Sequence, residues 1–272
     1  MREPLLNTPI PNPTPYPDVN AMLHELLSSV QAILGDHFLG MYLYGSLALG
    51  DFDPHRSDID FLVVTTDDLP TNLFLALQAM HARIAAGDSR WAIELEGSYI
   101  PQHALRRYDQ TNARHPHIDR GGGNLDIEQH DTDWVIQRHT LREHGVVLLG
   151  PAPHTLIDPV HPNDLRHAAM ATLSEWWAPM CDRPIQLQYV GYQTYAVLTM
   201  CRALYTLQHG TIVSKPFAAR WAQKVVGEPY ASLIERAVTW RDPGQAAEVT
   251  ETLDFIRYTL ACCQEYASQL KE

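Results

Sequence analysis

The sequence lacks the features that mark membrane, exported and nucleic-acid-binding proteins. It has no apolar run long enough to span a bilayer, and its N-terminus is not the charged-then-apolar segment of an export signal. Acidic residues outnumber basic ones, 32 to 20, for a formal net charge of −12, whereas non-specific nucleic-acid binding needs a basic surface. We therefore expect a cytoplasmic, monomeric protein with neither a membrane nor a nucleic-acid partner.

Cysteine is also scarce. The four cysteines, at positions 181, 201, 262 and 263, show no C-x-x-C spacing. Two adjacent cysteines on a helix point about 100° apart and are poor disulfide partners for each other. Buried free thiols in a reducing compartment are the expected state.

The informative stretch is residues 41–64. It is typical of a short apolar strand, a Gly-Ser turn, a polar loop and a second apolar strand that carries Asp58 and Asp60. Residues two apart in a strand point to the same face, so both carboxylates project together. Their mutual repulsion is relieved by a cation between them. A hard divalent ion with oxygen ligands, most simply Mg²⁺, fits this pair.

Gly45 and Ser46 add a second signal to the same stretch. Glycine lets the backbone turn tightly and lets a ligand approach it closely. A serine hydroxyl and N–H at the start of the following segment suit a phosphate oxygen. A phosphate-binding turn joined by one loop to a metal-binding Asp-x-Asp predicts a protein that binds nucleoside triphosphates.

These residues carry a family resemblance. Gly45-Ser46, eleven intervening residues and Asp58-Ile59-Asp60 resemble the signature of the DNA polymerase β-like nucleotidyltransferase superfamily. Residues 43–46 with residues 57–63 are similar to the aminoglycoside adenylyltransferases that modify streptomycin and spectinomycin. The resemblance implies transfer of AMP from Mg-ATP to a hydroxyl of an aminoglycoside-type, cationic acceptor, with release of pyrophosphate. It also implies two Mg²⁺ ions held by Asp58 and Asp60.

A third carboxylate is expected from the next strand. Residues 91–100 predict a strand with Glu94 and Glu96 on one face, and acidic residues are poor strand formers. A sheet that places this strand beside Asp58 and Asp60 would explain them. By resemblance, Leu95-Glu96 matches the catalytic glutamate strand of the family, which makes Glu96 the general base and a third metal ligand. Glu94, one register step away, is the rival.

The resemblance continues in the C-terminal half. Residues 198–202, Leu-Thr-Met-Cys-Arg, resemble a helical Leu-Thr-x-x-Arg motif that faces the nucleotide. Residues 210–215, which end in Lys215, resemble a loop whose lysine contacts the triphosphate. The resemblance therefore adds Arg202 and Lys215 to Gly45 and Ser46 as nucleotide-binding residues. Residues 188–195 contain no carboxylate, where the streptomycin-modifying relatives carry acidic side chains, and this departure argues against streptomycin as the acceptor.

Residues 101–130 predict irregular structure. Gly121-Gly122-Gly123 lacks the Lys-Ser/Thr of a P-loop and predicts a flexible loop. His115-x-His117 has no companion ligands at zinc-site spacing. We expect the histidines of this region and the next helix to be solvated or capping residues, namely His103, His115, His117, His130, His139 and His144.

The pattern as a whole predicts an α+β chain. A Pro-rich N-terminal arm, residues 1–19, would precede a nucleotidyltransferase domain, residues 20–157, with a small mixed sheet flanked by helices. Residues 158–272 predict an all-α helical bundle, which the family resemblance implies is a substrate- and nucleotide-binding domain. Helical spacing predicts Val19–Leu34, Thr71–Ala86 and Asp131–His144 in the first domain, and Asn163–Ala178, Val190–His209, Pro216–Val226, Tyr230–Trp240 and Gln245–Leu270 in the second.

Two other functions are compatible with the same residues. The chain could use the same chemistry on another acceptor, either a different small molecule or a protein. It could instead be a non-catalytic nucleotide-binding protein. The intact Asp-x-Asp and the candidate third carboxylate argue against the second alternative.

Overall fold

The computed structural model describes residues 12–240 and 248–269. The chain divides into two compact units between Pro159 and Val160, two residues after the predicted boundary. Residues 1–11 of the predicted N-terminal arm lie outside the described residues. The first helix begins at Pro17, where a proline suits the first helical turn because its missing N–H has no intrahelical partner there.

The first unit is built on one six-stranded sheet. Its strands are β1 (Phe38–Leu43), β2 (Ile59–Thr65), β3 (Leu95–Pro101), β4 (Arg114–Ile118), β5 (Leu125–Gln129) and β6 (Val146–Leu149). The strand order is β5-β4-β3-β2-β1-β6. Only β2 and β3 run parallel, and the other four pairs are antiparallel. The sheet is therefore mixed, as predicted.

Helices accompany this sheet. They are α1 (Pro17–Leu34), α2 (Gly45–Leu49), α3 (Thr71–Ala85), α4 (Gln102–Leu105), α5 (Trp134–His144) and α6 (Pro153–Leu156). Because strand side chains alternate, β2 buries Phe61 and Val63 in a cluster with residues of α1 and α3. Leu62 and Val64 point the other way and pack with Trp134 of α5. Asp60 shares this second face.

Three local predictions are wrong. Strand β3 begins at Leu95, and Arg90–Ile93 form a 3-10 helix that buries Trp91. The region 101–130 is not irregular, because β4 and β5 form an antiparallel hairpin within it. The predicted Gly-Ser turn is the start of α2.

The second unit is helical, as predicted. Its helices are α7 (Pro162–Thr172), α8 (Ala178–Met180), α9 (Val190–His209), α10 (Lys215–Val226), α11 (Tyr230–Thr239) and α12 (Thr250–Gln269). A π-helical turn, Leu173–Trp177, joins α7 to α8. The predicted bounds of α9 match at both ends because Gly210, with φ +64°, adopts the left-handed conformation that ends a helix. Residues 245–247 of the predicted last helix lie outside the described residues.

The fold class is thus confirmed as α+β with a C-terminal helical unit. All four cysteines are free, and Cys201 and Cys263 are buried. None of the helices in the described part of the chain combines the length and apolar character that a membrane crossing requires.

Candidate active site

The end of β1 and the start of α2 bring a glycine against a carboxylate. Gly45 has φ +59°, a conformation that L-residues with a β-carbon rarely adopt. A β-carbon built at this position would lie 1.8 Å from Oδ2 of Asp60. The backbone N–H of Tyr44 also donates to the carbonyl of Asp60 at 3.1 Å. The Gly-Ser segment and the Asp-x-Asp segment therefore meet directly in space.

The register of β2 and β3 places Glu96 beside Asp60. The two residues are partners in the parallel ladder, so their side chains lie on the same face of neighbouring strands. Asp58 lies one residue before β2, two positions from Asp60. All three acids are partly buried.

The negative charges of these three acids all affect the neighbouring Tyr44. Its ring is 4% exposed. Burial raises the pKa of its hydroxyl far above the usual range, and the negative charges of Asp60, Glu96 and Asp58 raise that pKa further. Three carboxylates therefore lie close enough to the hydroxyl of Tyr44, just after the end of β1, to raise its pKa.

Glu94 and Glu96 have different surroundings. Glu94 ends the 3-10 helix before β3, and its Oε2 forms an ion pair with Nε of Arg120. Its backbone carbonyl accepts a hydrogen bond from the N–H of Ile59 at 2.7 Å. The expectation that both glutamates share one strand face is therefore wrong, and Glu96 is the one in register with Asp60.

Sequence reasoning missed a fourth acid, Asp133. It precedes α5 and adds to the negative field that raises the pKa of Tyr44. Burial, and then the neighbouring charge of Asp131, raise the pKa of Asp133 to about 6. The helix predicted to begin at Asp131 begins at Trp134, and Asp133 occupies the N-cap position. A search for local sequence patterns could not find Asp133, because it lies about 70 residues along the chain from Asp60.

The residues present fit a hard divalent cation and a phosphate group. Carboxylate oxygens are the ligands that Mg²⁺ prefers, and the negative charges of Asp58, Asp60 and Glu96 all raise the pKa of Tyr44. The buried hydroxyl of Ser46 has no hydrogen-bond partner among residues 12–240 and 248–269. A buried hydroxyl without a partner is costly unless a ligand supplies one. Glycine at position 45 leaves the space that Asp60 occupies.

The two basic residues predicted to bind the nucleotide, Arg202 and Lys215, lie in the second unit. Lys215 is the first residue of α10, and its Nζ lies 4.6 Å from the ring centroid of Tyr195 on α9. Arg202 is half-buried on α9, two helical turns after Tyr195 and so on the same side of that helix. Between them, the buried hydroxyl of Thr199 has no hydrogen-bond partner within the described residues. The Leu-Thr-x-x-Arg segment thus presents a cation and an available hydroxyl one turn apart.

Three histidines contradict the expectation of solvated or capping rings. His115, His117 and His130 are 2%, 8% and 2% exposed. Burial lowers the pKa of His115 to about 4 and that of His130 to about 2, so both rings are neutral at pH 7. The ring of His130 stacks on Trp134 at 3.6 Å between centroids. The sequence prediction failed because the hairpin that buries these rings was not expected.

Two family models match the chain. Residues 25–110 match a nucleotidyltransferase domain, and residues 155–260 match the C-terminal domain of aminoglycoside adenylyltransferases. The first match lies within the first unit, and the second lies almost entirely within the second unit. The segments that contain most of the candidate site residues, residues 45–60 and residues 198–215, lie inside these matches.

The chain is similar to curated relatives along most of its length. An aminoglycoside (3'') (9) adenylyltransferase of Shigella flexneri is 28% identical over 252 residues, which is 89% of this chain and 93% of the relative. A spectinomycin 9-adenylyltransferase of Staphylococcus aureus is 24% identical over 221 residues, 78% of this chain and 81% of the relative.

A solved structure shares the fold. The crystal structure of a spectinomycin adenyltransferase from Enterococcus faecialis, determined with ATP and spectinomycin, matches with a TM-score of 0.71 at 19% identity. The match covers 90% of this chain and 98% of that chain.

Proposed function

Because this chain belongs to the aminoglycoside (3'') (9) adenylyltransferase-like family of nucleotidyltransferases, we propose that it transfers AMP from ATP to a hydroxyl of an aminoglycoside-type antibiotic. The acceptor oxygen forms a bond to the α-phosphorus while the bond from that phosphorus to the bridging oxygen breaks, and pyrophosphate leaves. The observation that carries the proposal is the contact of the Asp60 carboxylate with Gly45, in register with Glu96.

The chain's own residues supply positioning and proton transfer. Glu96 takes the proton of the acceptor hydroxyl as general base. The Gly45 backbone and the Ser46 hydroxyl bind the β- and γ-phosphates, and Lys215 and Arg202 neutralise them. Positioning and charge neutralisation supply most of the rate in phosphoryl-type transfers. Asp58, Asp60 and Glu96 would hold Mg²⁺, two ions in our proposal, which when bound would neutralise charge on the triphosphate.

The acceptor is proposed to be cationic, in keeping with the net charge of −12. Residues 188–195 offer no carboxylate for the guanidinium groups of streptomycin. We therefore expect streptomycin to be a poor acceptor compared with other members of the antibiotic class. We further propose that the protein acts as a monomer in the cytoplasm, where ATP and Mg²⁺ are available, without a nucleic-acid partner.

Pyrophosphate release tests the proposal. The purified full chain is incubated with Mg-ATP and each of a panel of aminoglycosides that includes streptomycin and spectinomycin, and the adenylylated product is identified by mass spectrometry. We expect product with at least one antibiotic, and loss of turnover in Asp58→Asn and Asp60→Asn with the fold retained. Asp126→Asn, which removes an exposed carboxylate of β5, is the matched control.

The outcomes separate the alternatives. Product with a non-antibiotic small molecule or with a protein side chain would keep the chemistry and change the acceptor. ATP binding without pyrophosphate release for any acceptor would indicate a non-catalytic nucleotide-binding protein. Undiminished turnover in either aspartate variant would remove the proposed mechanism.

A further inference from the structure

A second set of metal-ligating side chains lies on the β4–β5 hairpin. His117, Asp119 and Glu128 each offer one ligand atom, and these atoms all lie within 4.8 Å of one another. We call this set the hairpin triad. His117 belongs to β4, Asp119 directly follows β4, and Glu128 belongs to β5. None of the three belongs to the active site described above.

The register of the hairpin explains why the three side chains meet. Glu128 pairs with His115 in the antiparallel ladder, and His115 and His117 are two residues apart, so all three share one face. Glu128 is therefore the diagonal neighbour of His117 across the hairpin. Asp119 is two positions beyond His117, and its Oδ1 lies 3.4 Å from Nε2 of His117.

A buried hydroxyl orients His117. Oγ of Ser98 lies 2.7 Å from Nδ1 of His117 and 3.1 Å from Nε2 of His130. Ser98 is fully buried. Its hydroxyl has one proton, so it donates to one of the two rings and accepts from the other. Metal binding through Nε2 requires the tautomer of His117 with its proton on Nδ1, in which Ser98 accepts from His117 and donates to His130. This arrangement leaves the lone pair of His117 on Nε2, the atom that faces Asp119.

Support of this kind is typical of metal-ligating histidines. A histidine that binds a metal through one nitrogen generally donates the other N–H to a fixed acceptor, which sets the tautomer and the ring orientation. The His117 side chain is 10% exposed, whereas that of Asp119 is 71% exposed. The triad therefore joins a rigid nitrogen ligand to a carboxylate that an ion can reach from solvent.

We propose that the hairpin triad binds a divalent transition-metal ion of the Zn²⁺ class. One imidazole and two carboxylates suit Zn²⁺, whereas Mg²⁺ and Ca²⁺ favour all-oxygen ligand sets. Three protein ligands leave at least one coordination position for water or another ligand. The ion would link β4 to the edge strand β5, and so stabilise the hairpin against opening.

Zinc titration of the full chain, purified without an added histidine tag, tests this assignment. The titration uses the Asp60→Asn protein, which weakens the active site as a competing cation site, and is followed by calorimetry and by the thermal transition. We expect one Zn²⁺ per chain and a higher transition temperature with Zn²⁺. Absorption of bound Co²⁺, used as a spectroscopic substitute, should report a nitrogen–oxygen ligand set.

Substitutions of two proposed metal ligands, and of the serine that orients His117, test which residues bind the ion. Asp119→Asn and Glu128→Gln change side chains at the surface and should each weaken Zn²⁺ binding at least about tenfold. Ser98→Ala should weaken it by about 10- to 100-fold, the usual effect of removing the group that orients a ligand. Glu265→Gln, which removes an exposed carboxylate of α12 in the second unit, should bind Zn²⁺ like the parent.

The opposite pattern overturns the proposal. If Asp119→Asn and Glu128→Gln bind Zn²⁺ as tightly as Glu265→Gln, the ion is held elsewhere. If no Zn²⁺ binds to the Asp60→Asn protein, the triad is an ion pair without a metal. The unfolding transition of each variant in the absence of metal shows that it is folded, so weaker binding cannot be attributed to loss of structure.

Discussion

Oδ2 of Asp60 occupies the space that a β-carbon at position 45 would fill, 1.8 Å from the place where that carbon would lie. The two residues belong to different segments, one at the start of α2 and the other in β2. Only glycine at position 45 lets Asp60 keep this place in line with Glu96. Gly45 therefore makes room for Asp60, in addition to the phosphate-binding role that we propose for it.

Gly45→Ala should displace Asp60 and lower kcat/KM for ATP at least about 100-fold, as the loss of a positioned charged group does in other active sites. Gly50→Ala is the matched control. Gly50 also has positive φ, at +73°, but nothing lies within 4 Å of its would-be β-carbon. Both variants should lose about 1–2 kcal/mol of stability from backbone strain. Pyrophosphate-release kinetics and thermal unfolding measure the two effects, and equal activity in both variants would refute the role of the Asp60 contact.

Glu96→Gln should lower kcat at least about 100-fold, because an amide cannot accept the proton of the acceptor hydroxyl. Its transition temperature should be unchanged or higher, since one of several neighbouring negative charges is removed. Glu94→Gln should keep kcat and lose at most about 1 kcal/mol, because its ion pair with Arg120 is partly solvent-exposed. Single-turnover rates measure the loss of kcat in the two variants, and urea unfolding measures their stability. A larger kcat loss in Glu94→Gln would reverse the assignment of the base.

Lys215→Ala should raise KM for ATP about tenfold, an effect of about 1.4 kcal/mol, because a cation that neutralises the triphosphate is lost. Lys224 is exposed in the last turn of the same helix, α10, so Lys224→Ala controls for the change in net charge. Initial rates at varied ATP concentration measure the effect. Equal KM values for the two variants would place Lys215 outside the nucleotide site.

His81 predicts a pH dependence of stability. Burial lowers its pKa to about 4, while the unfolded chain has the ordinary histidine pKa near 6.5. Below pH 6.5 the unfolded chain therefore takes up a proton that the native chain does not. The free energy of unfolding should fall by about 1.4 kcal/mol per pH unit from this residue as the pH drops from 6.5 towards 4, with no effect above 6.5.

His81→Gln should make this dependence shallower, because glutamine does not titrate and can still hydrogen-bond the hydroxyl of Tyr99, which lies 2.8 Å from the ring nitrogen. Urea unfolding at pH 7, 6 and 5 gives the slopes. His24→Gln, at an exposed position of α1, should keep the slope of the parent. An unchanged slope in His81→Gln would show that His81 is already protonated in the native state at these pH values.

Local patterns were enough for part of the structure. Asp58 and Asp60 are two residues apart, and Gly45 and Ser46 are adjacent, so their chemistry was visible without knowledge of the fold. Helix α9 was predicted at both ends because apolar spacing and Gly210 both act within one helix. The hairpin β4–β5 was missed because Pro116 lies inside β4, paired with Ile127, and proline in a strand interior argues against a strand.

By itself, the sequence determined the two-unit α+β organisation, the Gly-Ser and Asp-x-Asp segments and the family to which they belong, because each depends on residues close together in the chain. Only the tertiary structure decided which distant groups meet. The parallel register of β2 and β3 selected Glu96 over Glu94, the start of α5 brought Asp133 near Tyr44, and the antiparallel register of the hairpin joined His117 to Glu128. Strand pairing fixes such contacts through hydrogen bonds between segments far apart in sequence, and a shift of one residue would turn each side chain to the opposite face.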